Sequence, residues 1–181
     1  MSVHRSQTHP AQKDARRVEL KETPALEMRA MMITILIVDD HTYIRKGIAG
    51  LLEATGVMQV VATAANGIEA VAKARLHQPH IAIVDISMPF MDGIEATRQI
   101  RESCPHTRVL ALSIYDNQEY IRDALQAGAA GYVLKDAIPN EILEAIRSLH
   151  GGERYFSRKI AESIVPHIEE ANDSRAGQDQ N

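Results

Sequence analysis

The stretch that decides the fold is ITILIVDD, residues 33–40, where an apolar run leads directly into two aspartates. Residues 33–38 do not alternate between polar and apolar positions, since Thr34 is the one polar residue among them. A short, uninterrupted apolar run is typical of a strand that is covered on both faces, as in a parallel sheet. We therefore expect a strand over residues 33–38, with Asp39 and Asp40 emerging where it ends.

Outward from this strand, further apolar runs alternate with stretches whose apolar residues follow helical spacing. The additional strands are predicted over residues 57–64, 80–84, 108–112 and 130–134. After the first strand, Ile44, Ile48 and Leu52 show the helical spacing, and similar patterns follow the other strands. Five strand–helix units in about 120 residues favour an α/β fold, a (βα)5 doubly wound sheet of five parallel strands with helices on both faces.

Composition and charge exclude several classes of protein. The 181 residues carry 20 Lys and Arg against 24 Asp and Glu, a formal net charge of −4, which disfavours tight nucleic-acid binding by overall charge. Cys104 is the one cysteine in the sequence, so an internal disulfide is excluded and nothing suggests secretion. The longest apolar run is far shorter than the roughly 20 residues that cross a membrane. We therefore expect a cytoplasmic protein without a membrane segment.

The two ends of the chain lack the apolar periodicity of its centre. Residues 1–31 are expected to form a disordered extension, because they contain no continuous apolar segment of the kind that a signal peptide needs. The other predicted boundaries are a folded domain over residues 32–152, a linker helix over residues 153–170 and a disordered tail over residues 171–181. Within the linker, we expect Ser157 to cap a helix that Pro166 kinks or divides.

Polar side chains follow the carboxyl ends of the predicted strands. They are Asp39 and Asp40 after the first strand, Asp85 after the third, Ser113 after the fourth and Lys135 after the fifth. In doubly wound sheets, ligands bind outside these strand ends. Taken singly, Asp39 could be a helix cap and Lys135 a solvated charge. Together, three carboxylates, a hydroxyl and an ammonium are expected to converge on one crevice.

Three carboxylates in one crevice would need a cation. Two of them about 4 Å apart repel each other by roughly 4 kcal/mol at an effective dielectric constant near 20. Oxygen ligands suit Mg²⁺, whereas zinc is disfavoured because His41 is expected to begin the next helix and no cysteine or other histidine stands at ligand spacing. A carboxylate nucleophile, a divalent metal, a lysine and a hydroxyl are the parts needed to accept and hold a phosphoryl group.

Four motifs closely resemble those of the receiver domain of two-component response regulators. They are Asp39-Asp40-His41, the run DISMPFMDG at residues 85–93, Ser113, and GYVLK at residues 131–135. The Asp-Asp-His opening and the pair Lys135-Asp136 look like the NarL/FixJ-type branch. The resemblance covers about residues 32–155 and implies a flavodoxin-like sheet with strand order 2-1-3-4-5. It also implies Mg²⁺ as cofactor and a sensor histidine kinase as partner.

The resemblance implies a role for each matching residue. Asp85 would be the phosphoacceptor, and Asp40 would bind Mg²⁺ directly, with Asp39 acting chiefly through water. Asp85 itself and the backbone carbonyl of Ser87 would be further metal ligands. Lys135 would contact the phosphoryl oxygens. The domain would assist its own phosphorylation and dephosphorylation without being an enzyme that acts on other substrates.

The resemblance also implies a switch. Ser113 would swing toward the phosphoryl group, and Tyr132 would follow it inward from an exposed rotamer. This movement would alter a protein-interaction surface made of the fourth helix, the fifth strand and the fifth helix. A phosphorylation-dependent homodimer, through that surface or through the first and fifth helices, is the expected consequence.

Several alternatives remain open or are disfavoured by the motifs. A helix-turn-helix of about 60 residues does not fit after residue 169 of this chain, so we expect either a stand-alone receiver or the regulatory part of a longer transcription regulator. An aspartate-nucleophile phosphatase would place its nucleophile in an Asp-x-Asp arrangement after the first strand, where this chain has a contiguous pair. A dinucleotide-binding domain would need G-x-G-x-x-G there, and residues 39–50 contain none.

Overall fold

Strands and helices alternate through residues 32–136 and 139–162, the part of the chain that the structure, a computed structural model, describes. The elements are β1 (Ile33–Val38), α1 (Thr42–Glu53), β2 (Met58–Ala64), α2 (Gly67–His77), β3 (Ile81–Asp85), α3 (Gly93–Ser103), β4 (Arg108–Ser113), α4 (Gln118–Gln126), β5 (Gly131–Leu134), α5 (Pro139–His150) and β6 (Tyr155–Phe156). The five strands predicted from the sequence lie within one residue of their expected bounds. Residues 158–162 are again helical. The expected extension over residues 1–31 and the tail over residues 171–181 lie outside the described residues.

The strands form one parallel sheet in the order β2-β1-β3-β4-β5-β6. The predicted α/β class, the doubly wound parallel sheet and the order 2-1-3-4-5 are therefore confirmed. Among the described helices, none is long and apolar enough to cross a membrane.

The sixth strand was not predicted. Residues 155–156 pair with β5, which corrects the expectation of a linker helix that begins at residue 153. Two residues are too few to show a hydrophobic period, so the sequence pattern is silent there. The pairing depends on Gly131, because a Cβ atom at that position would lie 2.7 Å from the backbone oxygen of Tyr155.

Helices cover both faces of the sheet, as the apolar run of β1 predicts. Ile35 and Ile37 pack in a core cluster with residues of α1 and α5, whereas Leu36 and Val38 pack in a second cluster with residues of α2 and α3. Successive strand residues point to opposite faces, so a strand covered on both sides must be apolar throughout. The apolar residues of β1 end at Val38, and the chain leaves the core at the next two residues.

Gly93 begins α3 where the backbone passes very close to the end of β3. Its N–H donates to the carbonyl oxygen of Ile86 at 2.9 Å. A Cβ atom at position 93 would overlap the backbone oxygen of Asp85 and would lie 2.7 Å from the Cα atom of Ile86. Glycine therefore allows the loop after β3 to fold tightly around Asp85.

We expect Gly93→Ala to lower the free energy of unfolding by about 1–3 kcal/mol or more, because backbone atoms must move to admit the methyl group. Gly47→Ala is a matched control within α1, since a Cβ atom there would meet no atom within 4 Å. It should raise the free energy of unfolding by about 0.5–1 kcal/mol through the lost flexibility of glycine. Urea unfolding of the three chains measures both changes. Equal stability of Gly93→Ala and the parent would contradict this account of the loop.

Candidate functional site

The carboxyl ends of four strands bring the predicted site residues to one edge of the sheet. Asp85 is the last residue of β3 and Ser113 the last of β4, while Asp39 and Lys135 directly follow β1 and β5. The ammonium Nζ of Lys135 lies 2.8 Å from Oδ2 of Asp39 and 2.8 Å from Oδ2 of Asp85. The fold thus brings together side chains that lie up to 96 residues apart in the sequence.

Asp39 and Asp40 present carboxylate oxygens that lack a hydrogen-bond donor. Asp39 is fully buried, and its Oδ1 accepts a hydrogen bond from the backbone N–H of His41 at 2.8 Å. Among the described residues, none donates a hydrogen bond to Oδ2 of Asp39 or to Oδ1 of Asp40, and both atoms are buried. The contact of Asp39 Oδ2 with Lys135 is therefore one of charge without hydrogen-bond geometry. Buried anionic oxygens of this kind are costly unless a cation compensates them.

Asp85 is held from both of its carboxylate oxygens. Oδ2 accepts a hydrogen bond from Lys135 at 2.8 Å, and Oδ1 accepts one from the backbone N–H of Ser87 at 3.2 Å. The residue is 2% exposed. Burial raises the pKa of the Asp85 carboxyl above its ordinary value, and the nearby charge of Asp39 acts in the same direction, although the Lys135 ammonium opposes the shift.

Lys135 carries its positive charge within this cluster. Burial alone would lower the pKa of its ammonium, but the hydrogen bonds and charges of Asp39 and Asp85 outweigh burial and raise that pKa. When the three carboxylates of Asp39, Asp40 and Asp85 are ionised, one ammonium leaves a net charge of 1 − 3 = −2. A divalent cation would neutralise that remainder.

Ser113 and Tyr132 meet through the loop that follows β4. The backbone N–H of Tyr115 donates to Oγ of Ser113 at 3.0 Å, and the hydroxyl of Tyr132 donates to the carbonyl oxygen of Tyr115 at 2.8 Å. Tyr132 is fully buried, and burial raises the pKa of its hydroxyl. The exposed rotamer implied for Tyr132 is therefore not the one observed here. Its ring belongs to the core cluster that contains Ile160, which follows β6.

His41 is a member of the cluster that the sequence argument had excluded. It is the N-cap of α1, with φ −85° and ψ 111°, and this extended backbone keeps its ring beside the aspartates. Its Nδ1 lies 2.7 Å from Oδ1 of Asp40 and 3.3 Å from Oδ1 of Asp39. Adjacency to Asp40 was the available signal, but the assumption that His41 turns away with the helix was wrong. Asp39, Asp40, His41 and Asp85 offer ligand atoms within 4.8 Å of one another.

Comparisons with known proteins agree with this geometry. The sequence profile of the response regulator receiver domain matches residues 35–147. The chain is 42% identical over 132 residues to the oxygen regulatory protein NreC of Staphylococcus carnosus, a match that covers 72% of this chain and 61% of the relative. It is 41% identical over 134 residues to the response regulator GacA of Pseudomonas protegens, covering 74% and 63% respectively. The chain thus spans about three fifths of the length of these curated relatives.

Solved structures show the same fold. A LuxR-family two-component response regulator from an Aurantimonas species superposes with a TM-score of 0.72 at 36% identity, covering 76% of this chain and 98% of that one. The receiver domain of the response regulator NarL from Mycobacterium tuberculosis superposes with a TM-score of 0.65 at 34% identity, covering 67% and 98%. The chain therefore belongs to the response regulator receiver domain family, and its relatives place it in the NarL/LuxR-type branch that the sequence motifs predicted.

Proposed function

We propose that the chain is a phosphoacceptor of a two-component system, in which Asp85 receives a phosphoryl group from the phosphohistidine of a sensor histidine kinase. One observation carries this proposal: Lys135 Nζ lies 2.8 Å from Asp85 beside two buried carboxylate oxygens without hydrogen-bond donors. An ammonium next to an acidic metal site is the arrangement that binds and transfers a phosphoryl group. Within the receiver family the chain thus acts as a signalling domain.

Residues at the strand ends would hold Mg²⁺. Asp40 would bind the ion directly and Asp39 chiefly through water, with Asp85 and the backbone carbonyl of Ser87 as further ligands. The buried oxygens of Asp39 and Asp40 fit a hard cation, because carboxylate oxygens and water form the usual magnesium coordination shell. When bound, Mg²⁺ supplies charge neutralisation for the phosphoryl oxygens.

In the proposed transfer, an ionised oxygen of Asp85 attacks phosphorus and the bond between phosphorus and the donor breaks. Lys135 would move from Oδ2 of Asp85 to the phosphoryl oxygens, a shift that a flexible ammonium side chain can make. Asp85 is nearly buried, so the donor must reach it past Lys135. The raised pKa of Asp85 opposes ionisation, and the cations of the site offset that effect.

The phosphoryl group would then act on the loop after β4. The hydroxyl hydrogen of Ser113 could be donated to a phosphoryl oxygen, while Tyr115 and Tyr132 are joined to Ser113 through the two hydrogen bonds described above. The switch in this chain thus depends on Ser113 and Tyr132, with Tyr132 already in its inward position. The altered surface would include α4, β5 and α5.

The output is proposed to be transcription regulation. The matched relatives are longer than this chain, and the titles of the similar structures include a DNA-binding response regulator of Staphylococcus aureus. A stand-alone receiver that acts through protein contacts is the alternative, and a reading frame that continues beyond Asn181 would decide between them. A phosphorylation-dependent homodimer and a cytoplasmic location also stay predictions. The aspartate-nucleophile phosphatase is disfavoured because Asp85, the residue beside Lys135, follows the third strand.

The function is tested by incubating the chain with a small phosphodonor and measuring its intact mass. We expect one phosphoryl group per chain in the presence of Mg²⁺ and none when the metal is chelated, because an acidic cluster without its cation repels the anionic donor. The added group should survive acid and be lost in base, as expected of an acyl phosphate. Continuous release of phosphate from many esters, without a stable adduct, would instead indicate a phosphatase.

A further inference from the structure

The imidazole of His41 adds a nitrogen donor to a cluster of carboxylates. Its Nδ1 faces Oδ1 of Asp40 at 2.7 Å and Oδ1 of Asp39 at 3.3 Å, while Asp85 completes a set of four ligand atoms that lie within 4.8 Å of one another. Ligand atoms on opposite sides of a first-row metal ion lie roughly 4 Å apart, given bond lengths near 2.1 Å. Small side-chain rotations would therefore let all four residues ligate one ion.

The ring of His41 is both oriented and accessible. Its side chain is 50% exposed, so an ion can enter from solvent on that side. The ring meets that of Tyr43 in an edge-on contact with centroids 5.7 Å apart. On the protein side, Asp39 is fully buried and its Oδ2 receives no hydrogen bond from the described residues. An open nitrogen donor thus stands opposite a buried anionic oxygen.

The donor set distinguishes between metals. Mg²⁺ takes oxygen ligands almost exclusively, so an imidazole adds little to its binding. Co²⁺, Ni²⁺ and Zn²⁺ bind imidazole well, and their affinities for mixed nitrogen and oxygen sites exceed those of the harder divalent ions. We propose that Asp39, Asp40, His41 and Asp85 form a site for a divalent transition metal, with His41 as its nitrogen ligand.

This inference rests on the proposed function, because both metals would use the same aspartates. Binding of the two metals is consequently exclusive, and a transition metal at this site displaces Mg²⁺ from the residues that serve phosphoryl transfer. The choice between the metals depends on one residue, since His41 is the member of the set that donates nitrogen.

The test titrates Co²⁺ and Mg²⁺ separately into the parent chain and into His41→Gln, with affinities from calorimetry and the visible absorption of Co²⁺ as a report on its ligands. A buffer pH above the ordinary imidazole pKa of about 6.5 keeps the ring neutral. We expect His41→Gln to weaken Co²⁺ binding at least tenfold, since loss of even an outer-shell partner costs about 10–100-fold in metal affinity. The Mg²⁺ affinity should change by less than about twofold.

A second histidine pair supplies the matched control. The rings of His80 and His150 lie with centroids 5.2 Å apart at a different place in the fold and could also bind Co²⁺. Only Co²⁺ that Mg²⁺ displaces is counted, and this fraction should be unchanged in His150→Gln. An unchanged ratio of Co²⁺ to Mg²⁺ affinity in His41→Gln would overturn the inference while leaving the magnesium site intact. Failure of the parent chain to bind either metal would overturn the proposed function as well.

Discussion

A chain carrying Asp85→Asn is expected to take up no phosphoryl group from a small phosphodonor and Mg²⁺, whereas the parent chain takes up one. The amide keeps the size and shape of the carboxyl group but has no anionic oxygen to attack phosphorus. The other carboxylates cannot substitute, because Asp39 is buried against Lys135 and His41, and Asp40 is proposed to hold the metal. Intact mass spectrometry of both chains under identical conditions measures the difference.

Asp92→Asn is the matched control for this experiment. Asp92 lies in the same loop, is exposed, and caps α3 by accepting a hydrogen bond from the backbone N–H of Glu95. Asparagine is an equally good cap, so the fold should be unaffected. We expect phosphorylation of Asp92→Asn to equal that of the parent. Undiminished uptake by Asp85→Asn would contradict the assignment of the acceptor.

The stability of Asp85→Asn provides an independent check that the variant is folded. Because the folded protein raises the pKa of Asp85, the stability linked to this group is fully present below its unfolded pKa and is lost as the pH rises through the folded value. Asparagine suffers no such loss. The variant should therefore unfold at the same or a higher temperature than the parent at neutral pH, with the difference shrinking below about pH 4.

Asp40→Ala is expected to weaken Mg²⁺ binding by about two orders of magnitude, because it removes the carboxylate proposed to ligate the ion directly. Oδ1 of Asp40 is a buried oxygen without a hydrogen-bond donor among the described residues, so its loss breaks no hydrogen bond of the fold. Isothermal titration calorimetry of the parent and the variant with Mg²⁺ measures the change.

Asp136→Ala controls for a general loss of negative charge near the site. Asp136 is exposed and follows Lys135, but it is not part of the ligand cluster. Its replacement should leave the Mg²⁺ affinity within about twofold of the parent, since an exposed charge beyond the ligand shell is screened by solvent. Equal affinity in Asp40→Ala and the parent would remove Asp40 from the metal site.

The sequence was sufficient to predict the sheet and the place of the cluster. Uninterrupted apolar runs locate buried parallel strands, because a strand covered on both faces admits few polar residues. Once the strands are parallel and adjacent, the residues that follow them must meet at one edge. Asp39, Asp85 and Lys135 meet there as a consequence of topology, and their distances follow from the strand spacing rather than from any local motif.

Features that depend on side-chain packing were beyond the sequence. The inward position of Tyr132 depends on the carbonyl oxygen of Tyr115 and on the packing of Ile160, which reaches the ring because β6 pairs with β5. A two-residue strand has no readable period, so this contact had no signal in the sequence. The participation of His41 likewise depends on the extended backbone of a helix cap, which a helical pattern does not specify.

Reduction of the phosphorylated chain with borohydride, followed by peptide mass mapping, locates the modified carboxyl group, because the reagent converts an aspartyl phosphate to homoserine. With Mg²⁺ and a small phosphodonor, we expect homoserine at position 85, and unmodified aspartate at positions 39 and 40. Homoserine at either of those positions, or at a carboxylate outside the cluster, would contradict the conclusion that this sheet edge presents Asp85 to phosphorus.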